Sequence, residues 1–161
     1  METVRACMDN PPVFSADRPS TFIDWSTGGD ETVIATANGN RIQIVAAFRE
    51  RDAVQCVRRA ASTLRERGLP TLSRRTRVVS AAPCALSSQM ISASTLGVND
   101  GSSACKKDEF ANADAEKWFA FRRLLEKREV ILPVDGELLK QLSSRRLQYD
   151  AKARIDAEPR A

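Results

Sequence analysis

The chain has no histidine at all. That removes Ser-His and Cys-His nucleophilic catalysis and most acid/base chemistry near neutral pH. Cysteine is sparse as well, with Cys7, Cys56, Cys84 and Cys105 widely and irregularly spaced and no Cys-x-x-Cys pair. With that spacing and no histidine a zinc site is not expected, and reduced, mostly buried thiols are. No apolar run approaches the roughly 20 residues that span a bilayer, and residues 1–9 carry no signal-peptide apolar core. The reading is therefore a cytoplasmic chain with no membrane partner. No G-x-x-x-x-G-K-[ST] phosphate loop occurs, so nucleotide binding is not expected. What chemistry remains open must run on carboxylates, and carboxylates without histidine suit hard divalent metals.

What is present is enough for a folded core. The 161 residues are 42% hydrophobic and 29% charged, as in ordinary globular domains. The net charge of +4 is unevenly distributed: residues 1–40 hold two Arg against six Asp/Glu, and residues 41–77 hold ten Arg against three. Nineteen of the 25 basic residues are Arg, the side chain best suited to bidentate phosphate contacts. An acidic strand region followed by an arginine-rich segment suits a metal site beside a nucleic-acid backbone, and equally a solvated basic helix face.

Residues 1–20, with Pro11, Pro12 and Pro19, read as an extended lead-in or linker. Strands are expected at residues 21–26, 32–37 and 41–48, with Asn38-Gly39-Asn40 as a type I′ hairpin turn. These make a three-strand antiparallel meander. Asp24 lies within the first strand, where a buried acid is costly unless something positive binds it. A helix capped by Asp52 carries Ala53, Val57, Ala60, Ala61 and Leu64 as one apolar stripe and ends at Gly68 and Pro70. A crossover helix predicts a fourth strand, near residues 76–80, that returns beside the first. Residues 78–99 contain neither acid nor base and show no clean period. Beyond a turn at residues 99–103, a long helix is expected over 108–127, a strand over 129–132, a short helix from Asp135 and a small hairpin around Gln148 and Arg154. Trp118 and Phe119 read as core.

Three pieces, in order and spacing, resemble the nuclease domain of the large terminase subunit of bacteriophages and prophages. They are Phe22-Ile23-Asp24-Trp25-Ser26-Thr27-Gly28-Gly29 with Asp30 and Glu31, Val98-Asn99-Asp100-Gly101 with the Phe110 to Phe119 segment, and Glu126-Lys127-Arg128-Glu129-Val130-Ile131-Leu132-Pro133 running on to Ile155-Asp156-Ala157-Glu158. The resemblance implies an α/β, ribonuclease-H-like mixed sheet: an antiparallel three-strand meander, then crossover helices and parallel strands. It places a partial nuclease domain at residues 21–161, with 72–97 divergent.

The resemblance further implies metal-dependent endonucleolytic cleavage of viral DNA during genome packaging, with Mg²⁺ or Mn²⁺ as cofactor. Double-stranded DNA is the implied partner, with the terminase small subunit and the portal, in the cytoplasm of a bacterial host. Asp24 matches the family's first-strand acid and is the catalytic and metal-ligating candidate. A second acid, expected after the fourth strand, has no counterpart in residues 79–86, and a third is expected beyond residues 155–158. Residues 72–97 read as a segment translated out of frame between two compensating shifts. Asp30, Glu31, Glu116, Asp156 and Glu158 are weaker candidates. With one acid located, a catalytically dead prophage remnant or a non-specific DNA-binding or structural module stays open beside the endonuclease.

Overall fold

The structure is a computed structural model, and it describes residues 2–17, 19–26, 30–69, 78–80, 95–97 and 102–158. The Gly28–Gly29 turn, the Pro70 stop, the turn at 99–101 and most of the charge-free segment, including Cys84, lie outside the described residues. The chain divides into two compact units, Phe14–Val98 and the pair of segments Met1–Val13 and Asn99–Ala161. No helix among the described residues is long and apolar enough to cross a membrane.

The first of these units is built on strands β1 (Ser20–Asp24), β2 (Thr32–Asn38), β3 (Arg41–Phe48), β4 (Val78–Ser80) and β5 (Thr95–Gly97), with helix α2 (Ala53–Glu66) between β3 and β4. The strand order is β3-β2-β1-β4-β5. β1–β2 and β2–β3 pair antiparallel, the expected meander, and β4 lies beside β1 and β5 beside β4 in parallel. Alternation decides which side chains meet the helix. Ile23 and Ile34 are register partners, and both pack with Phe48 against Cys56, Val57, Ala60, Ala61 and Leu64 of α2.

Local chemistry explains the ends of α2. The Asp52 carboxylate accepts the Gln55 N–H at 2.8 Å, the N-cap expected for that residue. At the other end Gly68 takes φ +58°. Its N–H bonds Arg65 O at 3.1 Å, and Leu69 N–H bonds Leu64 O at 3.0 Å. This is the Schellman pattern, and it returns Leu69 to the core.

The β2–β3 loop departs from the type I′ expectation. Of its two residues only Gly39 has positive φ, at +56°, which is the sign pattern of a type II′ turn. The reason lies in its neighbours. Asn40 N–H donates to Ser15 O at 3.2 Å and the Asn40 side chain accepts Ser15 N–H at 2.9 Å, so Asn40 is held against the preceding segment.

The other unit begins with a correction. Residues 2–9 are not extended but form helix α1 (Glu2–Asp9), which buries Val4, Cys7 and Met8. Those three lie on one helical face, so the prolines that follow mark the helix's end, not a wholly irregular lead-in. Helix α3 (Ala113–Glu126) starts at Asn112, whose side chain accepts Ala115 N–H at 2.8 Å. The residues just before it, which the helical pattern included, close instead into a turn from Lys106 O to Phe110 N–H at 3.0 Å.

Residues 129–132 form no strand beyond a single bridge position. Arg128, at φ +55°, closes a second Schellman turn, and Leu132 N–H then bonds Cys7 O at 3.1 Å. Helix α4 (Gly136–Ser144) is capped by Asp135 as expected, and β6 (Leu147–Tyr149) pairs antiparallel with β7 (Ile155–Ala157). Phe110, Phe119, Ala115 and Ala157 form this unit's core, with Trp118 packed on it.

Candidate metal edge at the end of the central strand

β1 is the middle strand of the sheet, and Asp24 is its last residue. The expectation of a buried acid is corrected here: the strand alternates, Thr21 and Ile23 buried, Phe22 and Asp24 exposed. Ile23 before it and Trp25 after it both join the α2 core. With both neighbours held on one face, the Asp24 side chain belongs to the other. Its cost is therefore not that of a buried charge. The carboxylate stands at the carboxyl edge, where parallel β1, β4 and β5 end together at Asp24, Ser80 and Gly97. In open α/β sheets that edge is where ligands bind.

Two residues that sequence reasoning did not single out hold this edge in place. Thr32, fully buried at the start of β2, donates its hydroxyl to Ser26 O at 3.1 Å and accepts Ser26 N–H at 2.9 Å. Its Oγ1 also lies 3.2 Å from the Cys56 thiol of α2. This clamp ties the chain two residues after Asp24 to both β2 and the helix. The available signal was a threonine opening a strand at a core-facing position. Cys56 is one of the thiols expected to be buried, and it is.

Each of the other candidate acids has its own surroundings within its unit. Asp30 and Glu31 are exposed in the β1–β2 connection, and Glu31 sits 3.8 Å from Arg49. In the other unit, Glu116 accepts the Cys105 N–H at 2.6 Å. Asp156 accepts from the Asn112 amide at 3.2 Å, from Gln148 at 3.4 Å and from Ala157 N–H at 2.8 Å. Glu158 is exposed, its carbonyl receiving Arg145 Nε at 3.4 Å. Asp114 is ion-paired with Arg145, whose guanidinium also lies over Trp118. Among the described residues no group of three or more His, Cys, Asp or Glu is placed to hold a metal ion. The arginines of α2 are on the far side of the sheet from Asp24, because α2 covers the Ile23 face.

No family model and no curated protein sequence matches the chain. Solved structures do. The chain is similar to a variant nuclease domain of the large terminase subunit of bacterial virus Sf6, solved with manganese and β-thujaplicinol. The TM-score is 0.74 at 14% identity, covering 98% of this chain and 85% of that one. It is similar to the large terminase nuclease of thermophilic phage G20c with bound magnesium, with TM-score 0.63, 17% identity, and 98% and 88% of the two chains covered. The nuclease domain of Thermus phage P74-26 gives TM-score 0.63 at 16% identity over 96% and 82%. The chain therefore has the fold of the nuclease domain of phage large terminase subunits.

Proposed function

We propose that the chain is a terminase-type nuclease domain: a ribonuclease-H-like, metal-dependent endonuclease acting on double-stranded viral DNA during genome packaging. The observation that carries the reading is the fold likeness over 98% of the chain together with the Asp24 carboxylate at the carboxyl edge of the central strand. Similar domains have been solved with manganese and with magnesium. An exposed carboxylate is the right donor for either ion.

The donor set is incomplete, however. Two-metal cleavage needs about three converging acids, and among the described residues no group of three is placed to hold a metal ion. Asp24 can supply an oxygen ligand and negative charge at the edge. The Ser26–Thr32–Cys56 clamp fixes the backbone that follows it. No step of hydrolysis follows from these residues alone, so cleavage by this chain by itself should be slight. Plasmid nicking in Mg²⁺ or Mn²⁺ tests the proposal. Slow nicking that Asp24→Asn abolishes supports it. Nicking unchanged in Asp24→Asn, or none from either protein even with Mn²⁺ in excess, overturns it in favour of a non-catalytic DNA-binding module.

A further inference from the structure

The arginines of α2 differ from several on α3 and the β6–β7 hairpin. On α3 and the β6–β7 hairpin, Arg122 meets Glu126 at 2.8 Å, Arg123 meets Glu109 at 3.3 Å, and Arg154 meets Asp150 at 2.6 Å. On α2 and at its C-cap, Arg58, Arg65 and Arg67 are all exposed, and among the described residues none has a carboxylate within ion-pair distance. The acids nearby are committed elsewhere. Asp52 caps the helix by accepting Gln55 N–H, and Glu66 accepts the Ser62 hydroxyl at 2.7 Å. Unmatched like charges along a helix cost stability in the free chain, and an anionic partner relieves that cost.

The spacing indicates what kind of anion. Arg58 and Arg65 are seven residues apart, two turns along one face, about 10.5 Å on the helix axis. Arg65 Nε is held on the helix surface by Ala61 O at 3.2 Å, and Arg67 continues the positive charge past the last turn. A single phosphate cannot engage charges so far apart, whereas a chain of phosphates can. The helix has no aromatic residue on which a base of a single strand would stack. A duplex, which presents its backbone, matches both facts.

We infer that the outer face of α2, through Arg58, Arg65 and Arg67, is a sequence-independent surface for duplex DNA, separate from the Asp24 edge. It goes beyond the nuclease reading, because this face lies across the sheet from Asp24 and needs no metal there. The test is fluorescence anisotropy of the full chain on labelled 20-base-pair duplexes of two unrelated sequences, over a potassium chloride series. Removing one arginine–phosphate pairing lowers the salt slope by about 0.9, so Arg58→Gln/Arg65→Gln should lower it by about 2 and weaken binding roughly 10- to 100-fold near 0.1 M salt. Both sequences should respond alike.

The control is Arg122→Gln/Arg123→Gln, which removes the same net charge from paired arginines and should shift affinity by less than about threefold. Equal losses of affinity in the two double variants would reduce the effect to net charge and overturn the inference. Preference for a single-stranded oligonucleotide, or for one duplex sequence, would overturn it too. Circular dichroism confirms the fold. If the double variant fails to fold, Arg58→Gln and Arg65→Gln taken singly should each lower the slope by about 1.

Discussion

Gly39 and Gly68 share a positive φ, +56° and +58°, but not one environment. A β-carbon at Gly39 would fall 1.7 Å from Ser15 O and 2.8 Å from Ser15 C, and one at Gly68 would meet nothing within 4 Å. Substituting alanine at each therefore separates strain from collision. Alanine in the left-handed region costs about 1–2 kcal/mol at either position. At Gly39 the Ser15 segment must also move. Its bonds with Asn40, at 3.2 and 2.9 Å, and that between Asp17 N–H and Asn38 at 3.1 Å, would break, each worth about 0.5–1.5 kcal/mol net. The Arg41 guanidinium, 4.3 Å over the Phe14 ring, would add up to about 1 kcal/mol at an exposed site. Gly39→Ala should thus cost about 2.5–7.5 kcal/mol and Gly68→Ala about 1–2. Urea unfolding followed by circular dichroism measures both, read as a midpoint shift at constant slope. Equal costs for the two substitutions would refute the steric argument and the packing of residues 14–17 on the β2–β3 turn.

Three further outcomes follow from particular residues. Arg128 occupies the position after the α3 C-cap at φ +55°, where glycine is at ease, so Arg128→Gly should stabilise by about 0.5–1 kcal/mol in the same urea assay. Thr32→Val removes the hydroxyl that serves both Ser26 groups; leaving them unpaired should cost about 1–3 kcal/mol, and amide exchange at Ser26 should accelerate. Asp150 is held below the usual carboxylate range by the Arg154 side chain, with the Arg154 and Lys152 N–H groups assisting. A depressed folded-state value means its contribution is complete above about pH 4 and falls away as the pH drops through the folded value. Asp150→Asn should therefore flatten the acid limb of the stability profile, and an unchanged limb would contradict the assignment.

Where short-range chemistry decides, the sequence is a sound guide. Asp52, Asp135 and Gly68 announce their caps by type and position, and the stripe Val57, Ala60, Ala61 and Leu64 marks the face of α2 that meets the core. Each departure has a physical reason. The α1 helix spans only residues 2–9, too short for periodicity to outweigh the prolines after it. Residues 129–132 look like a strand, but the non-glycine Schellman turn at Arg128 leads them back to Cys7 instead of a ladder. Asp24 stands out because an acid inside an apolar strand is conspicuous. Its exposure was not legible, since a strand's last residue obeys the neighbours that anchor it, here Ile23 and Trp25. The Thr32–Cys56 clamp is a contact between β2 and α2 that no local pattern encodes.

We propose that Asp24 is a metal-ligating carboxylate on a terminase-nuclease fold. Electron paramagnetic resonance of Mn²⁺ titrated into the protein tests it without requiring cleavage. The account predicts that the parent chain removes free Mn²⁺ signal, with Kd in the weak range expected of an incomplete oxygen-donor set, and that Asp24→Asn abolishes the effect. Mn²⁺ uptake that is identical in Asp24→Asn, or absent from the parent, would contradict it.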